Sequence, residues 1–210
     1  MKTKDSKLLL KINGKTVLER SVNAFLNISD VDEVIVVARE KDIPAFSDIL
    51  TDERVSFVVG GDTRQQSVMN ALDVIDDCEL IIIHDGARPL IKSQDIENTI
   101  RAAKENKAAA VGVFVKDTVK VVDKNGFVVS TPDRSTLFAV QTPQIFDFEL
   151  YRNAAQNARE KGFDFTDDCQ LVESFNQKVK TVVGSYSNIK ITTPDDIVLA
   201  ENLLKNEALI

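Results

Sequence analysis

The residues best suited to chemistry lie in a short charged loop that follows an apolar run. Residues 80–83 are wholly apolar, which is typical of a strand buried on both faces of a parallel sheet. Asp85, Gly86 and Arg88 come directly after this run. Ligands bind at the carboxyl ends of strands in open α/β sheets, where an aspartate can hold Mg²⁺ and an arginine can grip a phosphate. The loop therefore predicts a metal and phosphate site, and the alternative is an ion pair that closes a turn.

A second predicted strand ends at Gly61 and Asp62, with Ser67 one turn into the next helix. Free backbone groups on such a turn can hydrogen-bond the edge of a base, although a tight turn with a helix cap explains the same residues. Cations also lie in loops rather than on helix faces, at Lys7, Arg88, Arg134 and Lys190. If they converge on one aspartate, they suit phosphoryl or nucleotidyl transfer, because positioning and charge neutralisation dominate that chemistry.

Other kinds of catalytic site find little support. His84 is the only histidine, and its place at the end of an apolar strand favours a packed, hydrogen-bonded ring over a base. One histidine does not support a Ser/His/Asp or Cys/His arrangement. The sequence has no GxxxxGK[ST] loop and no GxGxxG motif, so neither a P-loop kinase nor a dinucleotide dehydrogenase is supported.

The charge of the whole chain narrows the classes of partner. Its 210 residues carry a net charge of −7 and a pI of about 4.9, which argues against binding nucleic acid or a membrane surface. Cys78 and Cys169 are too few for a disulfide framework or a zinc site, and they indicate free thiols in a reducing compartment. No apolar run approaches the ~20 residues that a membrane helix needs. We therefore expect a cytoplasmic protein.

Strand and helix patterns alternate as far as residue 115, which is typical of βαβ units and a parallel sheet. The predicted strands cover residues 33–38, 55–59, 80–83, 108–115 and 179–183. The predicted helices cover residues 16–27, 42–50, 64–75, 93–106, 147–161, 166–176 and 193–205. Residues 142–144 are expected to lead into the helix at 147. The sequence thus predicts a single α/β domain over residues 1–210, with a mostly parallel sheet flanked by helices.

The alternation breaks in a β-branched segment, residues 117–134. Asn125 and Gly126 lie at its centre and are a strong hairpin signal. The two strands, near residues 119–122 and 127–130, carry little apolar surface beyond their valines. A hairpin that cannot bury itself usually finds a partner, often a second subunit. We therefore expect residues 116–136 to form a protruding dimerisation arm.

A series of short stretches resembles the motifs of the 2-C-methyl-D-erythritol 4-phosphate cytidylyltransferase family of the non-mevalonate isoprenoid pathway. They are residues 60–64 with Ser67, 84–89, 115–118, 131–134, 141–144, 166–168 and 188–192. Each stretch is weak alone, but the ordered set is specific and spans nearly the whole chain. The resemblance implies a Rossmann-like α/β nucleotidyltransferase. It also implies that CTP and methylerythritol phosphate are converted to 4-diphosphocytidyl-2-C-methyl-D-erythritol and pyrophosphate.

The resemblance implies roles for residues that handle the nucleotide. Lys7 and Lys190 would be catalytic and would neutralise the triphosphate and the transition state from two sides. Gly61, Asp62 and Ser67 would hold the cytosine and its surroundings.

It implies further roles at the metal and at the second substrate. Asp85 would be catalytic, would hold Mg²⁺ and would lie where the ribose of CTP meets the substrate, with Arg88 beside it as a substrate-binding residue. Thr118, Arg134 and Thr142 would bind methylerythritol phosphate. The arm that carries the first two would cross to the other subunit of a homodimer.

The resemblance is incomplete at the start of the chain. Family members carry a buried strand and a Gly-rich loop with an arginine ahead of the position that aligns with Met1, and this sequence does not contain them. Ser6 stands where the family usually has a proline, and Leu8 and Leu9 replace a more polar pair. Two explanations stay open: the sequence lacks an N-terminal piece, or the chain is a shortened protein with weak or no activity.

Two other functions stand beside the leading one. A sister enzyme that acts on ribitol or ribulose 5-phosphate shares the fold and the CTP site, although residues 85–89 and 131–134 favour methylerythritol phosphate. A shortened, non-catalytic chain could instead act as a binding or regulatory subunit. Against that interpretation, the charged candidates are all present: Lys7, Asp85, Arg88, Arg134 and Lys190.

Overall fold

The computed structural model describes residues 6–207, so both ends of the predicted domain, 1–5 and 208–210, lie outside the described residues. The strands are β1 (Lys11–Ile12), β2 (Lys15–Thr16), β3 (Val34–Ala38), β4 (Val55–Val59), β5 (Leu80–Ile83), β6 (Ala108–Phe114), β7 (Val121–Val122), β8 (Val128–Ser130), β9 (Phe138–Asp147) and β10 (Lys180–Val183). The helices are α1 (Val17–Leu26), α2 (Ile43–Ser47), α3 (Arg64–Leu72), α4 (Ser93–Asn106), α5 (Phe148–Lys161), α6 (Asp168–Glu173) and α7 (Asp195–Glu207).

The central sheet has the strand order β10–β6–β9–β5. Strand β10 is parallel to β6, whereas β9 runs antiparallel to both β6 and β5. Strands β3 and β4 form a separate parallel pair. The α/β class is confirmed, but the sheet is mixed rather than mostly parallel. The reason is β9, since residues 138–147 form a strand where the sequence predicts a turn and the start of a helix.

A bulge in β9 bends that strand beside the charged loop. Gln144 pairs with Ala110, but the next pair joins Val140 to Gly112, so three residues of β9 are left over opposite one of β6. The bulge holds Pro143, which has no N–H to give to the ladder. It also holds the buried residue Thr142. Bulges re-aim side chains, and this one brings Thr142 to the end of β5.

The two faces of the sheet bury different sets of helices, because neighbouring residues of a strand point to opposite faces. On one face, Ala108 and Ala110 of β6 pack with α3, α5 and α6, whereas Ala109 and Val111 pack on the other face with α1 and α4. The small alanines leave room for the helices to approach closely. Phe146 of β9 is fully buried in the first cluster. Its truncation to alanine should cost about 3–5 kcal/mol.

Helix α3 is fastened at both ends to the segment that contains α5 and α6. Gln65 donates from Nε2 to the carbonyl of Phe163 (2.8 Å) and accepts the N–H of Phe165 at Oε1 (2.7 Å). At the other end of the helix, Asp73 pairs with Arg159 at 2.9 Å. These contacts fix the helix whose first residues border the charged loop.

The predicted hairpin is confirmed as the antiparallel pair β7 and β8, with Gly126 in the left-handed region at φ 86°. A left-handed turn position is where glycine costs least. The arm exposes apolar side chains to solvent, including Phe127 (72% exposed) and Val129 (65%). Elsewhere in the fold, no helix within residues 6–207 has the length and apolar character needed to cross a membrane.

Candidate active site

Three cations surround Asp85 at the carboxyl end of β5. Lys190 Nζ lies 2.8 Å from Asp85 Oδ2, Arg88 Nε lies 3.6 Å from the same oxygen, and Arg64 Nε lies 4.0 Å from Oδ1. Burial alone would raise the pKa of Asp85. The hydrogen bond from Lys190 and the charges of the three cations outweigh burial and lower the pKa. Asp85 is thus ionised at neutral pH and lies in a positively charged surrounding that suits phosphate groups.

A chain of hydrogen bonds fixes the backbone of the Asp85 loop. The Asp85 N–H donates to Thr142 Oγ1 (3.0 Å), and Thr142 Oγ1 lies 3.1 Å from Nδ1 of His84. Nε2 of His84 lies 3.2 Å from the carbonyl of Arg88, so these partners assign the proton to Nε2 and make Nδ1 the acceptor of the threonine hydroxyl. Burial lowers the pKa of His84 to about 4. His84 is therefore a neutral structural residue, as the sequence predicts, and Thr142 acts on the loop backbone.

Arg88 is anchored to the segment that carries Lys190. Its Nη1 donates to the carbonyl of Asn188 at 2.8 Å, while its buried Nε has no hydrogen-bond partner. Asn188 is fully buried and donates from Nδ2 to the carbonyl of Thr142 and to Oε1 of Gln141, both at 3.0 Å. Burial lowers the pKa of Arg88, although Asp85 works in the opposite direction. Asn188 is a site residue that sequence reasoning missed as an individual, because an asparagine in a loop carries no signal of burial.

Lys7 lies beside Lys190 without contacting Asp85 directly. It begins a short 3₁₀ turn, Lys7–Leu9, that is capped by the hydroxyl of Ser6. Its Nζ donates to the carbonyl of Ile191 at 2.9 Å. The structure therefore joins Lys7 to the segment from which Lys190 reaches Asp85.

The turn at Gly60 and Gly61, just before α3, is held by its own hydrogen bonds. Ser67 Oγ accepts the N–H of Gly61 (3.1 Å) and donates to the carbonyl of Thr63 (2.9 Å), and the N–H of Asp62 donates to Gln66 Oε1 (2.9 Å). A Cβ on Gly61 would lie only 2.4 Å from the Cβ of Gln66, so glycine is required here for close approach. These contacts match the turn-and-cap interpretation. A role of Gly61, Asp62 and Ser67 in holding a base stays a prediction.

Arg64 links the turn at Gly60 and Gly61 to Asp85, and sequence reasoning did not single it out. Its Nη2 lies 2.6 Å from Oδ2 of Asp168, while its Nε faces Asp85. Asp168 lies in the first turn of α6, and its side chain is only 3% exposed and is ion-paired with Arg64. Its neighbour Asp167 does cap α6, by accepting the N–H of Gln170. A partner more than a hundred positions away leaves no local signal in the sequence.

Thr118 and Arg134 lie on the arm, and their described contacts do not include the Asp85 cluster. Both residues are exposed, and Arg134 Nη1 donates to the carbonyl of Lys116 at 2.7 Å. An open cleft of about 520 Å³ lies at the base of the arm and is lined in part by Arg134 and Phe114. Within one chain, the structure therefore brings together Asp85, Arg88, Thr142 and the lysines, but not the two arm residues.

The residues around Asp85 fit a divalent cation only if substrate phosphates and water supply its other ligands. Within residues 6–207, no three or more His, Cys, Asp or Glu side chains are grouped so that they could hold a metal ion. Asp168, the nearest other acid of the network, is already paired with Arg64. Mg²⁺ is commonly held by one or two carboxylates together with substrate phosphates and water, rather than by a cage of protein ligands. A single carboxylate in a phosphate-attracting site matches that mode.

An α/β domain with a charged cluster at the end of a central strand, where cations can meet phosphates, is the arrangement expected of a nucleotidyltransferase. The model of the 2-C-methyl-D-erythritol 4-phosphate cytidylyltransferase family matches residues 1–206. The chain is 47% identical over 206 residues to the enzyme of that name from Caldanaerobacter subterraneus subsp. tengcongensis, covering 95% of this chain and 91% of the relative. It is 44% identical to the one from Desulforamulus reducens, covering 98% and 90%.

Solved structures agree with the sequence comparisons. The 4-diphosphocytidyl-2C-methyl-D-erythritol synthase of Anaerococcus prevotii superposes with a TM-score of 0.87 at 38% identity, covering 93% of this chain and 88% of that one. The 2-C-methyl-D-erythritol 4-phosphate cytidylyltransferase of Thermus thermophilus gives 0.82 at 33% identity, covering 95% and 93%. The chain belongs to the 2-C-methyl-D-erythritol 4-phosphate cytidylyltransferase family, and it is a transferase enzyme of isoprenoid biosynthesis.

Proposed function

We propose that this chain transfers the cytidylyl group of CTP to 2-C-methyl-D-erythritol 4-phosphate and releases pyrophosphate, and that the cluster around Asp85 carries the reaction. The observation that carries the proposal is the convergence of Lys190, Arg88 and Arg64 on this one ionised carboxylate. A concentrated positive charge beside a single acid suits a triphosphate that must be bound and then split.

The proposed reaction is an in-line displacement. An oxygen of the substrate phosphate attacks the α-phosphorus of CTP, a new P–O bond forms, and the bond between the α-phosphorus and the bridging oxygen of pyrophosphate breaks. The attacking phosphate is already an anion, so no strong base is required, which agrees with a neutral, buried His84. Lys7 and Lys190 neutralise the triphosphate and the charge that develops on the leaving pyrophosphate. Gly61, Asp62 and Ser67 hold the cytosine.

Asp85 also holds the divalent cation, which we take to be Mg²⁺. When bound, the cation neutralises phosphate charge and orients the triphosphate. Arg88 adds a guanidinium beside Asp85 whose side chain is 14% exposed, and its positive charge favours the phosphate of the substrate. Thr142 acts from behind by fixing the Asp85 amide, and in this way it supports the binding of methylerythritol phosphate.

We propose that the enzyme is a homodimer and that residues 116–136 of one single-domain chain reach the site of the other. The exposed apolar side chains of the arm support this arrangement, because an isolated two-stranded hairpin is marginally stable in water. Thr118 and Arg134 then bind methylerythritol phosphate in the partner's site. A cytoplasmic location agrees with the free thiols Cys78 and Cys169 and with the use of CTP.

The test is pyrophosphate release by the chain when it is given CTP, Mg²⁺ and methylerythritol phosphate, with ribitol 5-phosphate as the matched control substrate. We expect release with methylerythritol phosphate and at most a trace with ribitol 5-phosphate. Equal release with both substrates would contradict the proposed specificity. No release with either, from a folded dimer that binds CTP, would contradict the proposed activity of this chain.

A further inference from the structure

A buried carboxylate lies behind the site and none of the proposed chemical steps uses it. Asp168, at the first turn of α6, accepts the hydroxyl of Tyr151 at Oδ1 (2.7 Å). Its Oδ2 lies 2.6 Å from Arg64 Nη2, in an ionic contact rather than an aligned hydrogen bond. Tyr151 is 1% exposed, so the carboxylate is enclosed on the core side. Its charge is therefore balanced by Arg64 alone among its described contacts.

The position of Asp168 is set by the same strand that fixes the site loop. Gln144 of β9 accepts the backbone N–H groups of Asp168 (3.1 Å) and Cys169 (3.2 Å) at Oε1. Its Nε2 donates to Asp167 at 3.2 Å. Gln144 follows the bulge that aims Thr142 at the Asp85 amide. The backbone amides of Asp168 and Asp85 are therefore both bonded to side chains of β9.

Arg64 lies between these two acids and contacts them unequally. Its Nη2 touches Asp168, whereas its Nε stops 4.0 Å from Asp85. An arginine and a free carboxylate normally close to about 2.7–2.9 Å, often with two parallel hydrogen bonds. Burial works against the charge of Arg64, but Asp168 foremost, and Asp85 after it, outweigh burial and raise its pKa. The guanidinium is permanently charged and is held back from the acid of the site.

We infer that Asp168, supported by Tyr151, is a positioning residue that restrains Arg64, so that Arg64 contributes charge to the site without occupying Asp85. Asp85 then keeps an oxygen available to the nucleotide and its divalent cation. This inference rests on the proposed role of Asp85.

The first variant is Asp168→Asn, which keeps the shape and an acceptor for Tyr151 but removes the charge that restrains Arg64. Arg64 is then expected to close on Asp85 and compete with the cation. We expect the Mg²⁺ concentration at half-saturation of CTP binding, measured by calorimetry, to rise at least fivefold. Turnover should fall about tenfold, with a smaller change in the KM for methylerythritol phosphate. Asp168→Glu should recover part of both losses.

The second variant, Arg64→Gln, tests whether Asp168 restrains Arg64 or only forms an ion pair with it. If Asp168 restrains Arg64, the Arg64→Gln variant does not need more Mg²⁺ than the wild type. Adding Asp168→Asn to Arg64→Gln then changes the Mg²⁺ requirement less than threefold further. If the pair only stabilises the fold, both single variants shift the Mg²⁺ requirement in the same direction. That result would overturn the inference, as would no shift in either variant.

The matched control is Asp73→Asn, which breaks the exposed ion pair with Arg159 at the other end of α3. It also removes one acidic charge that joins α3 to α5, and it should leave the Mg²⁺ requirement unchanged. If Asp168→Asn fails to fold, Tyr151→Phe keeps the carboxylate and removes one of its hydrogen bonds, and should move the requirement two- to threefold in the same direction. An unchanged requirement in Tyr151→Phe would then overturn the inference.

Asp85→Asn is measured in parallel. If it keeps full turnover, the proposed site is wrong. If it is inactive while Asp168→Asn equals Asp73→Asn, only the restraint is wrong.

Discussion

The Asp85 cluster and the arm differ in how completely each is satisfied within one chain. Around Asp85, the loop amide and His84 bond Thr142 of β9. Arg88 bonds the carbonyl of Asn188, Lys190 pairs with Asp85 itself, and Arg64 pairs with Asp168. In the arm, apolar side chains such as Phe127 and Val129 face solvent. One region is built before any ligand arrives, and the other has surface that its own chain does not cover.

The two regions therefore obtain their stability from different sources. The cluster is preorganised by bonds within the fold, so its chemistry should depend on individual charged groups. The arm gains stability only through what it contacts, so its contribution should depend on apolar area and on protein concentration.

Replacing Asp85 by alanine should abolish turnover, by at least about 10³-fold, because the site loses the carboxylate on which three cations converge. Pyrophosphate release measures the loss, and size-exclusion chromatography should show an unchanged oligomer. Glu79→Ala, which removes an exposed acid just before β5, serves as the control and should stay active. Retained turnover in Asp85→Ala would remove this residue from the site.

Phe127→Asp should dissociate the proposed dimer and lower activity about 100-fold, since it replaces the most exposed apolar side chain of the arm with a charged one. Analytical ultracentrifugation across a range of protein concentrations gives the dissociation constant. Ser130→Asp adds the same charge to an exposed arm position without removing apolar area, and should have the smaller effect. A monomeric wild-type enzyme with full activity would contradict the arm as a dimerisation element.

Arg134→Ala should raise the KM for methylerythritol phosphate about 10- to 100-fold and leave CTP binding within about twofold, since the loss of a charge-assisted contact is worth about 1.5–3 kcal/mol. Steady-state kinetics with each substrate varied in turn separates the two effects. Lys120→Ala removes another exposed cation of the arm, whose Nζ bonds Thr131, and provides the comparison. Equal losses for both substrates would contradict the assigned role of Arg134.

His84→Gln should flatten the pH dependence of stability. The pKa of His84 falls from an ordinary 6.5 to about 4 on folding, so the unfolded chain binds the proton more readily between these values. The His84 contribution is therefore fully present above about pH 6.5 and is lost as pH falls toward 4, by up to about 1.4 kcal/mol per pH unit. Urea unfolding at pH 7 and pH 5 measures it. Equal pH sensitivity in the variant and the wild type would exclude His84 as the source.

Much of the fold can be predicted from the sequence, because local patterns determine it. The apolar run of β5, the β4 strand and the extent of α4 match their predicted bounds, and the capping threonine of α1, Thr16, lies where the pattern places it. Strand β9 could not be predicted. A proline inside a central strand argues against a strand, and the bulge that accommodates Pro143 is visible only when β6 is paired with it.

The site divides in the same way. Asp85, Arg88 and Lys190 stand out because charged residues follow apolar strands or lie in short loops, and the structure brings these three together. Arg64 and Asp168 each have an adequate local explanation at the start of a helix. Their pairing depends on α3 and α6 packing on the same face of the sheet, which no short stretch of sequence encodes.

The fastening of α3 to the segment of α5 and α6 has a consequence for how the native state opens. Gln65 bonds the backbone of Phe163 and Phe165, and ion pairs hold the helix at its first residue and just after its last. Regions joined in this way exchange their amide hydrogens as one cooperative unit rather than by separate local fraying. The amides of α3 should therefore show the same protection and the same denaturant dependence of exchange as those of α5 and α6.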